Sequence, residues 1–350
     1  MLDNAAIAEL FTREAANATG HLQRAYIRAS HEAMMWPEEA AELVEADRSL
    51  TELDGIGPTL ARRVHEWIDA PPADLEPPPV RSEFLTLAEA RRVLARNPSW
   101  AKRLKGDLQM HTRWSDGTAS IAEMAAAGAA RGYQYVAITD HTKGLQVAGG
   151  IDEEKLEKQG REIAAVNAQL KKERTSLTVL RAAEVNLSIE GRGDMDSKAL
   201  AKLDLVLGCF HSALRRTEPQ TARYLAGLRN PDIQILGHPQ TRMRNRREGL
   251  QADWHKVFAE AARLNKAVEI DGDPARQDLR VSLAKIARKE GCLISLSTDA
   301  HAPEELAYME LSLATALLAK IPAERIVNFR PLPELKTWVE SVREQAFVST

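Results

Sequence analysis

The chain has 350 residues, 44% of them hydrophobic, enough for one large domain with a small one beside it. Its net charge of −3 carries no global nucleic-acid signature, so any contact with DNA has to come from a local patch. Two cysteines do not make a disulfide framework, and no apolar run approaches membrane-spanning length. Both cysteines, Cys209 and Cys292, fall inside predicted strands and read as buried thiols of a reducing compartment. The start, MLDNAAIAELFTRE, lacks the basic stretch and long apolar core of a signal peptide, and a cytoplasmic protein is expected.

Residues 1–70 read as helices only: IAELFTREAANA, HLQRAYIRASHEAMM, EEAAELVEA and TLARRVHEWI, broken at Gly20, Pro37 and again between Gly55 and Pro58. Within them LDGIGPTLARRV (53–64) fits a helix–hairpin–helix pattern. Gly55 and Gly57 allow a tight hairpin around Ile56. The backbone N–H groups and the next helix's start, at Thr59, can then approach a phosphate. Arg62 and Arg63 add charge, with Arg24 or Arg28 behind them. Such a hairpin grips DNA backbone phosphates and makes no base-specific contact; the plain alternative is a turn between two helices. APPADLEPPPV (70–80) is proline-rich and reads as an extended linker that tethers the helical unit. SEFLTLAEARRVLARN is one further helix, with Ser82 or Thr86 as its N-cap.

From Lys105 onward strand and helix alternate. The strand-like runs are GDLQMHTRWSDG (106–117), VAITDH (136–141), LRAAE (180–184), LVLGCFH (205–211), IQILGH (233–238), AVEID (267–271) and ISLSTDAH (294–301). Helical segments follow at 121–131, 153–172, 220–228, 253–264, 278–289 and 303–318, with a closing helix around 334–344. Seven strands in strand–helix alternation predict an α/β fold with a parallel, closed or nearly closed barrel. Its site belongs at the C-terminal ends of the strands, where the βα loops gather.

Five of the nine histidines, His111, His141, His211, His238 and His301, sit at those strand ends. Asp116, Glu184 and Asp299 join them. The other four, His21, His31, His65 and His255, fall on predicted helices and read as surface or packing residues. Imidazole with carboxylate and no thiolate suits Mn²⁺, Zn²⁺ or Fe²⁺. Two or three such ions with a bridging carboxylate, for which Glu184 is the natural candidate, match phosphoester hydrolysis. TRMRNRREG (241–249) places Arg242, Arg244, Arg246 and Arg247 just after His238; Lys143 follows His141, and Arg276 follows Asp271. These cations form either a phosphate clamp, with Lys143, Arg246 and Arg276 as its members, or a solvated loop face.

On GDLQMHTRWSDG, AITDHTKGLQVAGGIDEEKLEKQ, GDMD, FHS, GHPQTRMRNRREG, EIDGDPARQDL and ISLSTDAH, spanning 106–302, the chain resembles the PHP (polymerase and histidinol phosphatase) superfamily. Within it, the resemblance is to the C-terminal PHP domain of bacterial family X DNA polymerases. The resemblance implies a distorted (β/α)7 barrel. It implies one metal on His111, Glu184 and Asp299, a second on Glu184, His211 and His238, and a third on Asp116, His141 and His301. Glu184, His211, Asp299 and Arg242 are the implied catalytic residues. Gln109 stands where the superfamily carries the first histidine of His-x-His, which implies a loosely held first metal. Asp116 stands where many phosphatase members carry histidine. Asp140 is expected to orient a ligand rather than bind metal.

HLQRAYIRAS with LTELDGIGPTLARRV resembles the small N-terminal domain of the same polymerases. No Asp-x-Asp palm segment fits between hairpin and barrel, so no polymerisation is expected. The expected layout is a helix–hairpin–helix unit at 1–70, linker and helix at 71–104, and a PHP barrel at 105–345. The expected activity is Mn²⁺-dependent hydrolysis at DNA ends, as a 3′→5′ exonuclease or 3′-phosphatase, with abasic sites as a further substrate. A small-molecule phosphatase of the histidinol-phosphatase kind and a non-catalytic DNA-binding protein are the alternatives.

Overall fold

The computed structural model describes residues 2–348. The first part is helical: α1 (Asn4–Asn17), α2 (Gly20–Met35), α3 (Ala40–Glu45) and α4 (Pro58–Asp69), with α5 (Leu87–Ala95) beyond the proline-rich stretch. Local chemistry sets several ends. The Asp3 carboxylate accepts from Ala6 N at the start of α1, and Thr86 Oγ1 accepts from Glu89 N at the start of α5. Ile7, Phe11, Leu43, Val64 and Trp67 form a separate core, with Phe11 edge-on to Trp67 at 5.0 Å. Between α3 and α4 the hairpin turns at Gly55, whose φ is +75°. A Cβ there would lie 2.7 Å from Glu32 Cγ, so only glycine fits.

The linker is not a loose tether. Arg13 donates to the carbonyls of Asp74 and Glu76 at 2.7 and 3.0 Å, and Arg81 pairs with Glu9 at 2.6 Å. From the other side, the Gln277 amide bonds both N and O of Leu85 at 2.7 and 2.8 Å, and Ser282 donates to Glu83 at 2.9 Å. Proline removes donors but leaves carbonyls, and these carbonyls are satisfied by side chains from both units. α5 packs Ala90 and Leu94 into the outer barrel core and pairs Arg91 with Glu310 at 2.9 Å. The helical unit is therefore docked against the barrel.

Seven parallel strands follow in simple order: β1 (Gly106–Met110), β2 (Tyr135–Ile138), β3 (Thr178–Asn186), β4 (Leu205–Cys209), β5 (Ile235–Leu236), β6 (Ala267–Asp271) and β7 (Leu293–Ser297). The ring closes through a Met110–Ala300 bridge, with His111 N donating to Ala300 O at 2.8 Å. Side chains alternate: Val268 and Ile270 pack outward against helices, while Ala267, Glu269 and Asp271 belong to the interior. The interior is apolar below, where Leu108, Leu180, Leu205 and Ile235 meet Leu335 and Trp338 of the last helix (Leu332–Val348). That helix plugs the bottom, so polar side chains collect at the top. In β1 the pairing slips between Asp107 and Met110. This irregularity shifts the alternation, so Leu108 stays in the floor while Gln109 and His111 both reach the upper site. Among the described residues no helix is long and apolar enough to cross a membrane.

Candidate metal centre

Glu184, fully buried on β3, is the hub. Its Oε1 lies 2.9 Å from His211 Nε2 and 3.0 Å from His238 Nε2. Its Oε2 lies 3.2 Å from His111 Nε2 and 3.5 Å from His141 Nδ1. Burial alone would raise its pKa, but the imidazoles hold it well below the usual carboxylate range. Asp299, after β7, stands 3.0 Å from His111 Nε2, and Arg276 Nε stands 3.4 Å from its other oxygen. Against burial, Arg276 and His111 keep Asp299 ionised and its pKa low. At the rim, Asp116 faces His301 at 3.4 Å, His141 at 3.6 Å and His111 at 3.8 Å.

Neighbouring groups fix these ligands. Asn186 Oδ1 takes His211 Nδ1 at 3.1 Å, which turns Nε2 toward Glu184. Glu269 accepts from His238 N at 2.6 Å and from Ser297 Oγ at 2.6 Å; burial pushes it up to about 8. Asp140 accepts from Thr112 N and Oγ1 and from Ser115 Oγ at 2.6–2.7 Å, clamping the loop that carries Asp116. Gly117 lies in that loop, where a Cβ would fall 2.6 Å from the His111 carbonyl. His238 and Asp299 hold positive φ, +22° and +51°, each costing about 1–3 kcal/mol in a non-glycine residue.

The cluster fits divalent ions. His111 Nδ1, His141 Nδ1, His211 Nε2, His238 Nδ1 and Gln109 Oε1 are buried without a hydrogen-bond partner. Each such atom costs about 1–3 kcal/mol when nothing is bound. Four groups of side chains bring their ligand atoms within 4.8 Å of one another: His111–Asp116–His141–His301, His141–Glu184–His211, Glu184–Cys209–His238 and His111–Glu184–Asp299. Burial opposes charge on His111, yet Asp299 and Glu184 raise its pKa well above normal. A divalent ion held on a nitrogen of this ring would have to displace any proton there.

Residues 107–272 match the PHP domain family. They belong to it. The chain is 35% identical over 239 residues to the DNA polymerase/3′-5′ exonuclease PolX of Bacillus subtilis, covering 68% of this chain and 41% of that one. It is 26% identical over 161 residues to a probable phosphatase of Caldicellulosiruptor bescii, covering 43% of this chain and 65% of that protein. A probable phosphatase of Syntrophotalea carbinolica is 27% identical over 234 residues and is covered over 90% of its length. The chain thus spans less than half of the Bacillus protein. The solved histidinol phosphate phosphatase of Lactococcus lactis, complexed with zinc, L-histidinol and phosphate, is 15% identical with a TM-score of 0.41, covering 69% of this chain and 93% of that one.

Every ligand position expected of a PHP site from the sequence lies in the cluster, but the grouping is tighter than three separate trios. His111 joins Asp116, His141 and His301, stacked on the latter two rings at 4.4 and 4.5 Å. Gln109 turns its amide N–H₂ to Glu184 at 2.9 Å and to Asp299 at 3.3 Å, bridging the two carboxylates as a donor. Cys209 stays a buried thiol, its pKa raised by burial and by Glu184, directly beneath the site.

The cations need correction. Arg242 is not at the cluster: its guanidinium stacks on Phe84 at 3.7 Å and donates to Ser82 O at 2.7 Å. It is a strap for the linker, because a buried guanidinium requires acceptors and the linker supplies carbonyls. Lys143 pairs with Glu153 at 2.6 Å on the surface. Of the residues expected in a clamp, Arg276 stands beside the candidate ligands; burial works against its charge, but Asp299, Asp271 and Asp273 hold its pKa well above the usual value.

In the hairpin, Ile56 is a core residue, and Arg63 is committed to Glu14 and Glu66 at 2.5 and 2.9 Å. Gly55, Gly57, Thr59 and Arg62 remain exposed. Asn186 and Glu269 went unnoticed in the sequence. The available signal was strand parity, since Asn186 lies two residues beyond Glu184 and Glu269 two before Asp271.

Proposed function

We propose that this protein is a metal-dependent phosphoester hydrolase of the PHP type that acts on DNA ends, as a 3′→5′ exonuclease or 3′-phosphatase. The observation that carries the reading is the convergence of five histidines, Glu184, Asp116 and Asp299 on one barrel mouth, with Arg276 beside Asp299. The chemistry supplied by bound divalent ions, Mn²⁺ foremost by donor type, is activation of water and neutralisation of phosphate charge. Arg276 presents a fixed cation next to those ligands, available to a phosphate oxygen. Asn186 and Glu269 hold His211 and His238 in place, so the ligand geometry needs little reorganisation on binding. The DNA assignment is supported by likeness to the Bacillus PolX and by the docked helical unit with its exposed glycine hairpin.

The test uses purified protein with Mn²⁺ or Zn²⁺ and labelled DNA ending in a 3′-hydroxyl, a 3′-phosphate or an abasic site, beside histidinol phosphate. Metal-dependent release of nucleotide or phosphate from DNA is the expected result. Turnover of histidinol phosphate alone would move the protein to the small-molecule phosphatases. No turnover of any substrate in the metal-loaded protein would leave a DNA-binding protein.

A further inference from the structure

Docking the helical unit creates a cleft of about 910 Å³ between α1 and α2 on one side and the barrel loops 243–246 and 273–275 on the other. That is near the top of the usual range for ligand pockets, roughly 300–1,000 Å³. Its barrel wall carries Arg244 and Arg246, and its helical wall carries Ile27 and His31; Tyr308 and three methionines line it too. His31, which reads from sequence as a surface or packing residue, is thus part of an inter-domain cleft.

Two features set this cleft apart from an ordinary domain seam. First, its guanidinium groups are underused. Arg244 is buried, yet among the described residues its side chain donates only to Ser30 Oγ, at a long 3.3 Å. The Arg246 side chain has no hydrogen bond or ion pair among the described residues, in contrast to Arg81, which is spent on Glu9. Second, the barrel wall of the cleft continues along the chain into the segment that carries Arg276 beside the metal centre. Asp273 lines the cleft, and Arg276, whose N–H donates to Asp273 O at 2.9 Å, faces Asp299. His31 is lowered by burial and then by the fields of Arg244 and Arg246; Arg247 is lowered by burial, then by Arg276, with Arg246 contributing. The lining acids are Glu32 and Asp273, and Asp273 stands beside Arg276.

We infer that this cleft holds the single-stranded stretch of a DNA end, with phosphates on Arg244 and Arg246 and bases against His31, Tyr308 and the methionines, and so delivers the terminal ester to the metal centre. The inference rests on the DNA-end reading above and adds where the strand lies. A strand of flat bases joined by anions matches a lining that mixes free cations with rings and adaptable thioethers. The helical unit then contributes a rigid wall, and the hairpin, whose Gly55 packs on Glu32 of that wall, sits at its edge.

The experiment is fluorescence anisotropy on the full-length protein with chelator present, so that binding is read without turnover. The probes are a labelled oligothymidylate and a labelled blunt duplex. Arg246→Glu on the barrel wall and Ile27→Glu on the helical wall should each weaken single-strand binding by about tenfold or more. Arg246→Glu should also flatten the salt dependence by at least about 0.7 in log–log slope. Duplex binding should change less. Should Arg246→Glu lower the melting temperature, Arg246→Gln reads the same slope. The inference fails if both wall variants leave the single-strand Kd within about twofold, or if Arg62→Glu on the hairpin removes binding while they do not. A protein that binds as expected but hydrolyses no DNA would sink only the hydrolase reading. An active DNA hydrolase indifferent to both walls would sink only the cleft.

Discussion

At the barrel mouth, Glu184 and Asp299 are buried among imidazoles with several nitrogens left unpartnered. At the seam between barrel and helical unit, Glu9 is just as buried but meets Arg13 at 2.9 Å and Arg81 at 2.6 Å, while Arg242 finds a ring and backbone carbonyls. Both regions bury charge. Glu9 and Arg242 complete their partners from within the chain and so stabilise the docked arrangement. The mouth leaves its lone pairs converging on common points, which is costly unless a cation is bound there. Satisfied and unsatisfied burial thus separate structural charge from functional charge more sharply than residue type does.

The contrast breaks most visibly at Glu184. Glu184→Gln should lower phosphoester hydrolysis by roughly a hundredfold or more and reduce bound metal, with little loss of melting temperature in chelated protein. A variant that retains metal and near-normal rates would remove Glu184 from the centre. Arg242→Ala should do the reverse. It should cost about 2–4 kcal/mol in denaturant unfolding, through lost stacking and hydrogen bonds, while metal content by elemental analysis stays at the parent level. Equal stability with lost metal would restore Arg242 to the site.

Lys266 tests buried charge where neither a full set of partners nor a ligand is present. Its ammonium donates to Asn230 O at 2.5 Å, and burial pushes its pKa down to about 7. In the unfolded chain the group keeps its ordinary value near 10.4. Below pH 7 both states are protonated and the folded state carries the burial cost. Between pH 7 and 10 the unfolded state binds more protons, so this contribution to stability rises with pH, by about 2 kcal/mol from pH 7 to 9. Lys266→Met should lose that rise; parallel unfolding curves for parent and variant across pH 6–9 would contradict it.

The smallest effect concerns Gln109. Gln109→His adds a true ligand where an amide now bridges two carboxylates, and metal affinity should increase about tenfold, read by competition with a chelating dye. No change would mean that the bridging donor already does what an imidazole would do.

Much of the site is written in local order. Short β-prone runs ending in histidine or carboxylate mark the ligands, because a parallel barrel necessarily gathers its strand ends on one face. Helix starts are equally local: Thr86, Ser120 and Asp152 cap within three residues of themselves. Gln109 is a harder case. Its identity shows a departure from His-x-His, but only the slipped pairing of β1 shows that its amide points at Glu184 and Asp299.

The sequence by itself determined the element order, the seven strands and which side chains are the candidate metal ligands. Tertiary structure alone decided which arginines are paired and which, among the described residues, are not, that the proline-rich linker is bound on both sides, and that a cleft opens between α2 and the barrel loops. The reason is distance along the chain. Arg242 meets Ser82 across 160 residues and Arg244 meets Ser30 across 214, so their fates are set by docking, whereas a strand-end ligand is set by the two or three residues before it.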